Sequence, residues 1–344
     1  MKLKNIIAIT SVVVIIVATI YSYIIYKKVF SANTSFAERE VYIQIPTDAT
    51  YPEAEQIIAK YVKDMEKFRM SAEKMDYPSK YRSGRFLVKS GMNNFDMIRS
   101  LLQNVPVRLT FNNQETLEDF AGRIAQQLEP DSLTLMQVFT EQEFLSQNNF
   151  TVENALSMYL PNTYEFYWNT TATQFREKMA KEYRRFWTEE RLAKADSLGL
   201  TPQKVVTLAS IVQKETTKVD ERPRVAGVYL NRLKIEMPLQ ADPTAVYAYK
   251  KHTQDFKQVI KRVNSTHTSI NSPYNTYQVI GLPPGPITMP DISSIDAVLN
   301  AEKHDYYYFC ASVERFGYHE FAKTHDQHRV NANKYQRWLN KQGY

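Results

Sequence analysis

One stretch limits every reading of this chain. From Asn5 to Tyr26 the sequence runs NIIAITSVVVIIVATIYSYIIY without a charged residue. As a helix it extends about 33 Å at 1.5 Å per residue, enough for a hydrocarbon core of about 30 Å. The apolar region of a cleavable signal peptide is shorter, about 7–15 residues, and no small-x-small cleavage site follows this run. The expectation is an uncleaved anchor, with residues 1–4 as a cytoplasmic tail and 5–26 as the span. Lys2 and Lys4 precede the run and Lys27 and Lys28 follow it, so flanking charge sets orientation weakly. Whatever the protein does is done after residue 28. A single cysteine, Cys310, suits an oxidising exterior, and it excludes an intrachain disulfide framework and any multi-Cys zinc site.

Beyond the anchor the chain is rich enough in apolar residues, 43% against 23% charged, to bury a core. Three stretches repeat one local pattern of β-branched run, polar turn and amphipathic helix. They are VYIQIP (41–46) before EAEQIIAKYV, RFLVKSG (85–91) before NFDMIRSLL, and VRLTFNN (107–113) before LEDFAGRIAQQL. Thr116, three residues ahead of Asp119, is placed to cap the third helix. These units predict a small α+β region over 37–130, which either touches glycan or only spaces the next domain from the membrane. Residues 131–344 form the second expected domain. Its pattern is mostly helical from 130 to 200, with a break at Leu160–Thr163, and helical again through 203–235. Tyr164, Phe166, Tyr167, Phe186 and Trp187 read as core rather than as sugar-stacking platforms. A Pro-rich loop follows at 281–290, then a buried strand at YYYFCA (306–311) and a closing helix over 328–342. The fold class is therefore α+β.

One residue stands out chemically. In the predicted helix 204–216, KVVTLASIVQKET, a rotation of about 100° per residue from Leu208 places Ile211, Val212 and Glu215 at about −60°, +40° and −20°. Glu215 thus continues the apolar stripe. A carboxyl held there is desolvated, and its pKa rises above the usual carboxylate range. That is the requirement for a general acid at neutral pH. Periodicity alone also allows Glu215, in the last turn, to reach water or pair with an Arg. Downstream, Asn231, Arg232, Gln240, Asp242, Thr244, Asn275 and Tyr277 lie in segments rich in Pro and aromatic residues, the kind that presents polar groups at a cleft or merely caps turns. His319, His325 and His328 are spaced by six and three, which does not match a zincin pattern, so no metal is expected. Lys and Arg exceed Asp and Glu by 43 to 37, without a concentrated basic stripe, and no nucleic-acid partner is expected.

At these residues the chain resembles the membrane-bound endolytic murein transglycosylases, the YceG-like family. The resemblance runs through LASIVQKET (208–216), VYLNRLKIEMPLQADPT (228–244), SPYNTYQVIGLPPGPI (272–287) and HEFAKTHDQH (319–328), and so covers most of 205–330. LPNTYEFYW (160–168) resembles the segment that precedes the family's catalytic region. The anchor and a LysM-like region resemble the family's N-terminus more weakly. Gln213 stands where many members carry a Glu, which leaves Glu215 the only acid of its segment; Glu236 replaces a usual Gly and Asn162 an Asp, and 248–271 is divergent.

The resemblance implies a lytic transglycosylase that needs no cofactor. Glu215 would serve as acid and then base on the β-1,4 bond between N-acetylmuramic acid and N-acetylglucosamine, giving 1,6-anhydro ends inside peptidoglycan strands. Gln240, Asp242, Asn275 and Tyr277 are the candidate substrate-binding residues. An inner-membrane location, with the catalytic domain outside, makes cell-wall synthases and division or elongation machinery the expected partners. Two other readings remain: a hydrolytic muramidase with Asp242 or Glu221 as second carboxylate, and a non-catalytic glycan-binding scaffold.

Overall fold

The computed structural model describes residues 3–342, so residues 1 and 2 of the expected tail and the last two residues of the chain lie outside the described residues. Helix α1 spans Leu3–Phe30. Its side chains from Ile9 to Ile24 are exposed. Among the described residues no helix is long and apolar enough to cross a membrane.

The chain divides into two compact units. The first holds the residues up to Arg108 together with Gln127–Glu129 and Glu165–Thr170. In it β1 (Glu40–Ile45) is followed by helices α2 (Tyr51–Ala59), α3 (Met65–Lys74) and the single turn α4 (Tyr77–Lys80), then by β2 (Gly84–Lys89) and α5 (Asn94–Leu101). The two strands are antiparallel, with Ile43 opposite Phe86 and Val41 opposite Val88. Alternation puts Ile43, Ile45, Phe86 and Val88 on one face, where they bury against Ile58, Phe68, Tyr77, Met97 and Leu101. Asn93 and Asp64 cap α5 and α3 by accepting hydrogen bonds from Asp96 N and Lys67 N.

The boundary departs from the expected one at residue 130. The third strand–helix repeat, β3 (Pro106–Phe111) and α6 (Leu117–Ala125), sends its apolar residues into the second unit. Phe111 meets Phe120 edge to face, and Phe120 stacks on Phe139 and packs at a tilt against Tyr159 and Phe175. Rings as far downstream as Phe175 thus decide where α6 belongs. Thr116 caps it as expected, accepting from Asp119 N.

The second unit continues with α7 (Ser132–Phe139), α8 (Gln142–Gln147) and a 3-10 turn at Ala155–Met158. Then comes a strand where only a break was expected: β4, Asn162–Tyr167, which pairs with β3 and whose residues from Glu165 onward count with the first unit. Of the aromatic residues assigned to the core, Phe166 and Trp187 are buried, Tyr164 and Phe186 half-buried, and Tyr167 is 54% exposed. Helices α9 (Ala172–Phe186) and α10 (Glu189–Ser197) lead to α11 (Pro202–Glu215) and α12 (Arg222–Lys234). Every residue from Val205 to Val212 is buried, so α11 is the central helix of this unit, packed against α12, α13 (Asp242–Thr253) and α15 (Ile292–Leu299), with the short α14 (Ser265–Thr268) between the latter two in sequence. Hairpin β5 (Tyr308–Ala311) and β6 (His319–Ala322) pairs Phe309 with Phe321, and α16 (His325–Gln342) closes the chain. β5 was expected to be buried, but all four of its residues are partly exposed.

Candidate active site

Glu215 is the last residue of α11. The stripe that buries Leu208, Ile211 and Val212 carries it inward, and it is half-buried rather than turned out to solvent. Its Oε1 accepts a hydrogen bond from the Tyr229 hydroxyl at 2.7 Å. Tyr229 is buried on α12, and its own pKa lies well above that of a free phenol, chiefly through burial and then the Glu215 charge, so it stays a donor. Burial is also the main influence on Glu215 and raises its pKa to about 7; the Tyr229 bond pulls it down and the Asp242 charge pushes it up again. Near neutrality this carboxyl carries a proton about half the time.

The opposite wall comes from two loops tied together. Gln240, with φ of 47°, turns the chain into α13, whose first residue is Asp242. Gln240 N donates to Thr276 O, Ala241 N to Thr276 Oγ1, and the hydroxyls of Thr244 and Thr276 share a 2.7 Å bond. This buried clasp brings Tyr277 to Asp242, and the Tyr277 hydroxyl donates to Asp242 Oδ1 at 2.6 Å. From α12, Arg232 reaches Tyr307 O and Leu239 O at 2.6 and 2.7 Å, fixing the β5 edge and the 239 turn on either side of the site.

Glu215 and Asp242 together line two clefts. One, of about 290 Å³, is completed by Tyr229, Arg232, Gln240, Tyr277, His325 and His328. The other, of about 920 Å³, runs past Lys214, Tyr247, Lys250 and the 258–263 segment. At its rim Glu115 pairs with both Lys214 and Lys250, at 2.7 and 2.9 Å. The carboxyl thus lies on the wall of both openings.

The sequence-derived residues sort unevenly. Glu215, Gln240, Asp242 and Tyr277 converge. Asn275 does not join them: it is fully buried, and its side-chain amide donates to Thr268 O and Ile270 O while its Oδ1 accepts from Tyr277 N. It shapes the loop that presents Tyr277, and no atom is left for a ligand. Glu221 is equally committed. Both its oxygens face His319, at 2.8 Å from the backbone N and from Nδ1, and these bonds outweigh burial to hold its carboxyl below the usual range. Of the three histidines, His325 and His328 reach the small cleft, where His328 stacks on Tyr308 with ring centroids 5.4 Å apart. Among the described residues no group of three His, Cys, Asp or Glu is arranged to hold a metal. Tyr229 was missed because a Tyr among Val and Leu on α12 reads as core; its position three residues before a buried Arg232 was the available signal.

Comparison with known proteins fits this arrangement. A model of the YceG-like family matches residues 43–334. The chain belongs to that family. An endolytic murein transglycosylase of Bacillus subtilis is 29% identical over 274 residues, 75% of this chain and 74% of the relative. An endolytic murein transglycosylase of Streptococcus pneumoniae is 37% identical over 136 residues, which covers 40% of this chain and 24% of the relative. The crystal structure of a YceG-like protein from Listeria monocytogenes superposes with a TM-score of 0.57 and 25% identity, covering 86% of this chain and 99% of that one.

Two departures of this YceG-like chain from the pattern of its resemblance have structural reasons. Gln213 Oε1 accepts from Asp291 N and Ser294 Oγ, at the start of α15. That is an acceptor's task, and an amide oxygen performs it as a carboxylate does. Glu236 stands at φ of 56°, the left-handed region where glycine is the usual residue.

Proposed function

We propose that this chain is an endolytic peptidoglycan lytic transglycosylase with Glu215 as its acid and base. The observation that carries the reading is a carboxyl on the wall of two clefts, its pKa raised by burial to about 7. A cut inside a polymer needs room for sugars on both sides of the bond. The two clefts supply it.

Protonated Glu215 gives its proton to the glycosidic oxygen as the bond to C1 of N-acetylmuramic acid breaks. The C6 hydroxyl of the same sugar then closes on C1 and returns its proton to Glu215. One carboxyl serves both steps, no water is consumed, and the attack is intramolecular. Asp242, held by Tyr277, places negative charge beside the positive charge developing at C1 and favours the protonated form of Glu215. Gln240, exposed at the turn, is positioned for the polar edges or N-acetyl group of a sugar in the small cleft. No cofactor enters this chemistry.

Hydrolysis is the second reading, because Asp242 lines the same clefts as Glu215 and is a carboxylate that can activate water. Glu221 has no such role while His319 occupies both its oxygens. A purely binding scaffold would not require a carboxyl whose pKa is shifted to its working pH.

In this reading the chain is anchored in the cell membrane by residues 5–26 with the rest outside, where it meets nascent strands beside synthases and the division or elongation machinery. The uncharged run supports the anchor. The strand–helix–helix–strand order of β1, α2, α3 and β2 supports a LysM-like first unit. Digestion of purified peptidoglycan followed by mass spectrometry tests the chemistry. Wild type yields 1,6-anhydro ends and Glu215→Gln yields none; reducing ends carrying an added water assign the enzyme to the muramidases.

A further inference from the structure

A third cleft, of about 1520 Å³, lies away from Glu215 and has no part in the chemistry above. Its walls come from the start of α11, the end of α9, the 281–284 loop and one face of α12. That helix serves both openings: Tyr229 and Arg232 face the small catalytic cleft, whereas Leu230, Asn231, Leu233 and Lys234 face this one.

Its charge is one-sided. Arg184, Lys204 and Lys234 line it, and no Asp or Glu does. All three cations are exposed. Arg184 donates to Asn148 Oδ1 at 3.0 Å, and none of the three is ion-paired among the described residues. The catalytic clefts are mixed: Glu215, Asp242 and Glu115 share their walls with Lys214, Lys250, Lys261, Arg262 and Arg232. A ligand with free carboxylates is therefore drawn to this cleft, where no carboxylate on the walls opposes it. The remaining walls suit a peptide: Leu192, Leu200 and Leu282 offer apolar surface, and Asn149, Gln203 and Asn231 offer amides for backbone groups.

We propose that this cleft binds the carboxylate-bearing peptide stems of peptidoglycan, so that one helix, α12, serves both the glycan and the peptide of the substrate. The proposal rests on peptidoglycan being the substrate and adds to it a second recognition site, specific for free carboxylates.

The test uses the full chain carrying Glu215→Gln for binding and the active chain for turnover. The binding probes are a stem tetrapeptide with free carboxyl groups and the same peptide amidated, titrated by calorimetry at low salt. The triple substitution Arg184→Ala, Lys204→Ala, Lys234→Ala removes exposed cations only, so folding is unaffected, as circular dichroism will show. It is expected to weaken the free-carboxylate peptide by about tenfold or more while leaving the already weak amidated peptide unchanged. In the active chain it raises KM for peptide-bearing strands and leaves kcat, and the turnover of peptide-stripped strands, as they were. No binding of the free peptide by the parent chain overturns the proposal, as does unchanged affinity in the triple variant or an equal loss for the amidated peptide. Product analysis separates the two claims. Anhydro ends with no cation-dependent peptide binding sink this site alone, and cation-dependent binding without anhydro ends sinks the transglycosylase reading alone.

Discussion

At Glu215 burial, a phenol and a second carboxylate pull in different directions, and their balance is open to measurement. The free enzyme is active with Glu215 protonated, so kcat/KM should be flat below the pKa of about 7 and fall about tenfold per pH unit above it. Asp242→Asn removes the charge that favours the proton, and the alkaline limb should move to lower pH. Tyr229→Phe removes the donor that favours the anion, so the limb should move to higher pH, with kcat reduced about tenfold because the carboxyl is no longer oriented. Shifts opposite in sign to these would dissociate both residues from the titration. Stability should follow the same carboxyl. Its folded pKa, about 7, exceeds the ordinary carboxyl value of 4.5, so the folded state holds more protons between those values and loses stability as pH rises through them. Glu215→Gln, nearly isosteric and uncharged, should unfold like wild type at pH 4. At pH 8 it should be more stable by up to about 3 kcal/mol, read from urea midpoints at the two pH values.

At the scale of elements, the Pro-rich loop 281–290 shows how closely the second unit is fitted. A Cβ on Gly285 would lie 1.9 Å from the carbonyl oxygen of Glu153, and nearby Ile287 N donates to Ser210 Oγ on α11. Backbone, not a flexible side chain, blocks the space. Gly285→Ala should therefore cost about 3 kcal/mol or more and lower Tm accordingly, with activity lost in proportion to unfolding. A Tm within a degree of wild type would mean the loop can shift away from Glu153. What the sequence revealed follows from which patterns are local. α11 and the place of Glu215 on it are legible because a 3.6-residue period needs no partner to be seen, and β1 and β2 are legible because their Ile, Phe and Val alternate. β4 was invisible: of NTYEFY only Phe166 is buried, so nothing alternates. The first unit's end at Arg108 was equally hidden, since β3 and α6 look like the two repeats before them until Phe120 meets Phe139 and Phe175. Asn275 in sequence is a loop amide like any other; only its contacts distinguish an amide that folds its own loop from one offered to a sugar.

For the whole molecule the question is where it works. Along α1 the side chains of Val12, Val13, Val14, Ile15, Ile16 and Val17 are each at least 50% exposed, an apolar surface that water does not tolerate on this scale. In the proposed reading a membrane covers this surface, and anchoring would raise the local concentration of enzyme near strands that are still being made. Full-length protein should therefore sediment with membranes and resist both high salt and alkaline carbonate. A chain lacking residues 1–30 should be soluble and cut detached peptidoglycan with kcat/KM within about twofold of the detergent-solubilised parent, because Glu215, Tyr229 and Asp242 all belong to the second unit. On strands still attached to membranes its rate should fall by about tenfold or more as the gain in local concentration disappears. Protease added outside intact spheroplasts should digest everything beyond the anchor. Recovery of the full-length chain in the soluble fraction removes the anchor from this account, and protection from external protease reverses its orientation. Equal rates of the two forms on attached strands would show that tethering, even where it occurs, does not direct the cut.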